Sequence, residues 1–293
     1  MTWHLGPMLA YDCETTGVEV EFDRIVTAAT VMIEPGSAPQ IRSTVINPGV
    51  EVPASAAEIH GWTTERVQAE GKPPAGELAW IANTIAAAFT DGVPVVVANA
   101  PFDLTLLDRE CRRHNVPTVG DLLDGEPMGP VIDPMCIDKA LDRYRPGKRK
   151  LDDLCLHYGA RLDGAHDAEH DALAAARVAY RLGQQAHLAV SAPLAVADMY
   201  AGRRYPERIV RGFQEFAKLT LPELHAAQVR WYADQAGGLI QHWQRQANDL
   251  EHRAEQAGDD AERETALADA KELRERADGV TTEWPIRPFG GVR

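Results

Sequence analysis

The chain contains no apolar run near the ~20 residues that a membrane-crossing helix requires, which argues against a spanning segment. Its opening, MTWHLGPMLAYDCETTG, has neither the basic stretch nor the apolar run of a secretory leader, so a cytoplasmic protein is expected. Cysteine is scarce: Cys13, Cys111, Cys136 and Cys155 form no CxxC pair. That removes the usual spacing for a zinc site and leaves reduced, packed thiols as the expectation. No repeat of solenoid length is present. Positive charge is in deficit too, with a net charge of −14 across 293 residues. A chain of that balance is not built to coat duplex DNA, although weak and transient processing of nucleic acid remains open to it.

What the chain does have is a change of character near residue 190. Residues 8–14, 24–33 and 41–46 read as strands, the first buried, the second rich in β-branched residues and the third alternating. After them come an Ala-rich helix over 77–89, a strand at 94–99 and a helix over 103–115. A short strand at 130–133 follows, then helices at 134–144 and 151–158 around a basic loop and a helix over 168–188. Strands that first cluster and then alternate with helices predict an α/β sheet with an antiparallel start. Residues 191–218 read as irregular or mixed. Residues 221–256 and 260–277 read as two long helices broken at Ala257-Gly258-Asp259, the second with a thin apolar stripe at Leu267, Ala270 and Leu273. The expected division is 6–190 and 191–293, with the helical extension free to pack on the core, pair with a second copy or dock a protein partner.

Acidic residues recur in three places. Asp12 and Glu14 lie two apart on the first strand, so both carboxylates share one face while Tyr11 and Cys13 turn to the core. A bare pair of this kind is often just two solvated charges. Asp103 follows Asn99-Ala100-Pro101-Phe102 where a strand gives way to a helix, a place that also suits a capping residue. His166 and Asp171 stand in HDAEHDA at the start of a helix, with Asp167 available as its N-cap. The two HD dipeptides also suggest an HD-type phosphohydrolase, but the surrounding all-helical pattern of such proteins is missing. Oxygen ligands without Cys or paired His favour Mg²⁺ or Mn²⁺.

Taken together, DCETTG, NAPFD and HDAEHDA resemble, in order and separation, the motifs of the DEDDh (DnaQ-like) 3′→5′ exonuclease superfamily, which includes the proofreading epsilon subunit of DNA polymerase III. The resemblance spans about residues 6–188. It implies an RNase H-like fold, a mixed five-stranded sheet flanked by helices, with the C-terminal helical extension outside the common core. It implies that Asp12, Glu14, Asp103 and Asp171 hold two Mg²⁺ or Mn²⁺ ions and that His166 is the general base. Nucleoside 5′-monophosphates would be released from single-stranded or frayed 3′ ends of DNA. An RNA or oligoribonucleotide trimmer, and a nucleic-acid-binding accessory module without turnover, are the alternatives. Thr15, Thr16, Gly17 and Asn99 would contact the terminal nucleotide, and Phe102 would stack on a base or pack in the core. The stretch INPGVEVPASAAEIHGWTTERV matches the segment that follows the third strand, where His60 and Trp62 would meet the terminal base. Trp62 replaces the family's usual Ile or Leu. The basic run Arg143, Arg145, Lys148, Arg149 and Lys150 is a candidate phosphate-binding loop, and Arg203, Arg204, Arg208 and Arg211 form a second candidate patch.

Overall fold

The computed structural model describes residues 3–164, 166–192 and 205–290. They form two compact units, one ending at Gln228 and the other beginning at Val229. The first unit thus runs well past the boundary expected at residue 190.

Its centre is a five-stranded sheet of β1 (Met8–Thr15), β2 (Ile25–Ile33), β3 (Gln40–Val45), β4 (Val95–Val96) and β5 (Val131–Ile132), ordered β3-β2-β1-β4-β5. The first three strands are antiparallel and joined by short loops, while β4 and β5 run parallel to β1. Parallel neighbours need crossovers, and helices supply them. The connection from β3 to β4 carries α1 (Ala54–His60), α2 (Thr64–Glu70) and α3 (Pro74–Thr90). That from β4 to β5 carries α4 (Ala100–Arg113) and α5 (Val119–Leu122). Then come α6 (Pro134–Leu141), α7 (Leu151–Tyr158), α8 (Ala168–Ser191) and α9 (Glu207–Phe216). Finally α10 (Leu221–Gln256) begins in this unit. The mixed sheet flanked by helices is the expected architecture.

Several expectations shift. The strand expected at 94–99 is only two residues long, because Asn99 adopts a left-handed conformation (φ 62°) and turns the chain directly into α4. The helices α1 and α2 have no counterpart in the sequence pattern. Each is seven residues long, α1 stopped by Gly61 at φ 76° and α2 started by Thr63, whose hydroxyl accepts from the Arg66 amide. The stretch 191–218 contains α9, whose Ile209, Phe213 and Phe216 are buried at helical spacing as it packs against α8 and α6.

The open edge of β5 is covered by side chains from the first turns of α10. His225 Nδ1 accepts from the Val131 amide at 3.1 Å. Gln228 accepts from the Asp133 amide at 2.7 Å and donates to the Val131 carbonyl at 2.8 Å. A helix side chain here replaces the missing neighbouring strand.

In the second unit the later part of α10 pairs with α11 (Asp260–Asp278), started by the Asp259 carboxylate accepting from the Ala261 amide. Arg274 donates to both Glu251 carboxylate oxygens and to Asn248. The buried positions of this unit are Ala236, Ala247, Ala254, Ala270, Ala277 and Trp284. Leu267, expected in the apolar stripe, is instead 45% exposed. All four cysteines are buried and none is in a disulfide, and no described helix is long and apolar enough to cross a membrane.

Candidate active site

The carboxylates come together at the C-terminal end of β1. Strand alternation sets Asp12 and Glu14 on one face, and Tyr11 and Cys13 are buried on the other. Asp103 sits in the first turn of α4 and is itself buried, so it is a group held inside the protein and not the solvated cap of that helix. Asp171 lies in the first turn of α8, where Asp167 is the N-cap and accepts from the Glu169 amide at 3.0 Å. His166 precedes that helix in a left-handed conformation (φ 65°) and its amide donates to Asp171 Oδ2 at 3.1 Å. A ring nitrogen of His166 and carboxylate oxygens of Glu14 and Asp171 lie within 4.8 Å of one another.

This convergence shapes the electrostatics. Asp12 is surrounded by protein and only partly exposed. Burial pushes it well above the usual carboxylate range, and the charges of Asp103, Asp171, Glu14 and Asp167 push it further. Glu14 is raised to about 7 by burial, then by Asp171 and Asp167. Burial also raises Asp103, against a lowering hydrogen bond from the Cys13 thiol, and raises Asp171, against the His166 amide. Among the described residues no Lys or Arg lies within ion-pair distance of these four acids. Buried charges that lack a cationic side chain call for another source of positive charge.

The residues expected to touch a substrate are placed unevenly. The Thr15 hydroxyl donates to the Gly17 carbonyl at 2.6 Å, and the Thr16 hydroxyl donates to Asp23 Oδ1 at 2.7 Å, so both hydroxyls shape the turn that follows β1. Gly17 is demanded by that turn, since a Cβ there would meet Asp23 Oδ2 at 2.6 Å. His60 Nδ1 accepts from the Trp62 amide, so its Nε2 carries the proton toward the Thr15 carbonyl at 3.3 Å. Burial lowers its pKa, as does the nearby His166. Trp62 packs on Val26, Val52, Ala56 and Val67, with the Arg66 guanidinium 3.9 Å above its ring. It also lines a cleft of about 260 Å³ shared with His166, Lys72 and Glu169. Phe102, next to Asp103 in the chain, is half-buried, and Asn99, the N-cap of α4, is exposed.

Arg149 is not available as expected. Its guanidinium turns inward to the fully buried Asp138 and to the Asp142 carbonyl. Of the second patch, Arg208 pairs with Asp142 and Arg211 with Glu207, and Arg203 and Arg204 lie outside the described residues.

The sequence model of the RNase T family, described as exonuclease, matches residues 9–179. The chain belongs to the RNase T exonuclease family. This exonuclease-family chain is 28% identical over 173 residues to a DNA polymerase III PolC-type protein of Streptococcus thermophilus, covering 59% of itself and 11% of that protein. It is 30% identical over 180 residues to a DNA polymerase III subunit epsilon-like protein of Rhodobacter capsulatus, covering 59% of itself and 23% of that protein. It therefore spans less than a quarter of the length of these curated relatives. Among solved structures, E. coli Exonuclease I in complex with a dA16 oligonucleotide matches with a TM-score of 0.50 at 19% identity, over 61% of this chain and 41% of that one. The zinc-bound form of an E. coli Exonuclease I–ssDNA complex matches with a TM-score of 0.52 at 18% identity, over 65% and 42%. These structural likenesses bear on the fold.

Two residues of the exonuclease unit escaped sequence reasoning. Asp133, just after β5, accepts from the amides of Asn99, Ala100, Met135 and Cys136 at 2.9–3.2 Å and so ties the start of α4, which carries Asp103, to the start of α6. Gln228 in turn accepts from the Asp133 amide. The Asp133-Pro134 pair was a readable helix start. Nothing local marked its reach to α4.

Proposed function

We propose that the chain is a metal-dependent 3′→5′ exonuclease that releases nucleoside 5′-monophosphates from single-stranded or frayed 3′ ends of DNA. The observation that carries this reading is the meeting of Asp12, Glu14, Asp103 and Asp171 with His166 at the end of β1, with no basic side chain among the described residues to balance them. The DNA polymerase III relatives and the oligonucleotide complexes of Exonuclease I support DNA as the substrate.

The four acids suit hard divalent cations, Mg²⁺ or Mn²⁺, because every donor is oxygen. Two such ions, when bound, would supply positive charge against the phosphodiester and the departing oxygen. The protein's own contribution is positional. His166 is exposed at the mouth of the cluster, its backbone fixed to Asp171, and its ring takes a proton from the attacking water. The P–O3′ bond breaks as the new P–O bond forms, the departing 3′ oxygen takes a proton from solvent, and the phosphate stays on the released nucleotide as a 5′-monophosphate. The Thr15–Gly17 turn, stiffened by Asp23 and His60, borders the place where the terminal nucleotide lies.

A 5′-labelled single strand incubated with Mg²⁺ or Mn²⁺ tests this. Stepwise shortening from the 3′ end, release of 5′-mononucleotides and loss of both in EDTA are expected. Endonucleolytic products, or turnover unaffected by EDTA, would sink the proposal. Matched RNA strands in the same assay decide the sugar preference.

A further inference from the structure

The loop between α6 and α7 divides its basic residues into two sets. Arg145 and Arg149 point inward and pair with Asp138, which is fully buried and also accepts from the Tyr158 hydroxyl at 2.8 Å. Arg149 further donates to the carbonyls of Asp142 and Arg145. The loop is therefore cross-tied to its own base rather than left as a loose tail. Arg143, Tyr144, Lys148 and Lys150 point outward. Tyr144 is 80% exposed.

In a chain of net charge −14, the outward set stands apart. Many other surface cations are paired: Arg66 with Glu70, Arg112 with Asp108, Arg177 with Asp163, Lys218 with Glu215. Among the described residues, Arg143, Lys148 and Lys150 form no ion pair. Positive charge is crowded enough there that Lys139, already held down by burial, is lowered further by Arg149 and Arg143. The loop also leads toward the catalytic end. It opens α7, whose Cys155 feels the charge of Asp171. From Cys155 back to Lys150 is about 7 Å along the helix axis.

We propose that Arg143, Lys148 and Lys150 bind backbone phosphates of a single-stranded polynucleotide upstream of its 3′ end, and that Tyr144 stacks on one of its bases. Cations interleaved with an aromatic ring are the chemistry that holds single strands without reading sequence. The inward arginine pair sets the loop's shape, so that the outward groups meet the strand already arranged. The inference rests on the nuclease reading for the direction of the strand, but its binding step does not need turnover.

The test uses the full chain and fluorescence anisotropy of labelled dT20, rU20 and dT3 in EDTA, across a salt series. Removing three phosphate contacts flattens the single-strand salt slope by about 2. The variant R143A/K148A/K150A is therefore expected to bind dT20 more weakly with that flatter slope. Y144A is expected to weaken dT20 binding about tenfold at unchanged slope. dT3, with only two internucleotide phosphates, is expected to lose less affinity than dT20 in every variant. Equal losses on rU20 would assign the contact to phosphate shared by both polymers, and a loss confined to dT20 would assign it to DNA. An unchanged affinity and slope for the triple variant on both long strands would overturn the proposal. Absence of hydrolysis by the wild type would instead count against the nuclease reading alone.

Discussion

The Cys13 thiol donates a hydrogen bond to Asp103 Oδ1 at 3.3 Å, across 90 positions of sequence. The residue between the two strand carboxylates thus holds the third acid in place from the opposite face. Hydrogen bonds to charged groups contribute about 1.5–3 kcal/mol. Cys13→Ala is therefore expected to weaken Mn²⁺ binding about tenfold by calorimetric titration, and Cys13→Ser to restore most of it. Equal Mn²⁺ affinity in the wild type and Cys13→Ala would remove Cys13 from any part in placing Asp103.

Asp171→Ala should abolish turnover, since it removes both a proposed cation ligand and the acceptor that fixes the His166 backbone. His166→Ala should lower kcat by about 10²-fold or more, the scale of general-base loss. Single-turnover hydrolysis of a labelled strand measures both. Full activity of His166→Ala together with loss in His170→Ala would transfer the base role to His170, which lies 3.6 Å from Asp167.

Glu14 makes the metal-free protein sensitive to pH. Its folded pKa, about 7, exceeds its ordinary 4.5. Below about pH 4.5 both folded and unfolded chains hold this proton, and no penalty arises. Between there and 7 the unfolded chain ionises first, so stability is lost as pH rises through the folded pKa. Glu14→Gln should melt higher than wild type in EDTA, by a margin that grows from pH 5 to pH 8. A domain of this size gains about 2–4 °C per kcal/mol. Mn²⁺ should raise the wild-type Tm more at pH 8 than at pH 5. A margin that shrinks with pH would show that Glu14 carries no such strain.

Asp133→Ala leaves four backbone amides at the starts of α4 and α6 without their acceptor. Each unsatisfied buried group costs about 1–3 kcal/mol. Urea unfolding should show a loss of at least about 3 kcal/mol, with Asp133→Asn intermediate. A loss under about 1 kcal/mol would mean that water replaces the carboxylate.

The four clustered acids stand out in the sequence because each carries a local signature. Asp12 and Glu14 show period-two spacing on an apolar strand, Asp103 follows a β-branched run, and Asp171 opens an Ala-rich helix. Where the sequence misled, the deciding contact lay far along the chain. Arg149 looks like part of a solvated basic run, yet a buried acid 11 positions earlier turns it inward. Gln228 has no local mark at all, since its partner lies 95 positions away. Short elements such as α1, α2 and β4 hold too few residues to display a period, and single glycine or asparagine conformations set their ends.

The side chains laid along β5 carry a consequence for handling the protein. Bare main-chain donors and acceptors at a sheet's rim invite pairing with any passing strand, including another copy of the same chain. A fragment cut where the family match stops would leave that rim unprotected and should clump in solution while its acids remain intact. Trimming the chain to its minimal matched length would thus trade away colloidal behaviour before it touched the acid cluster.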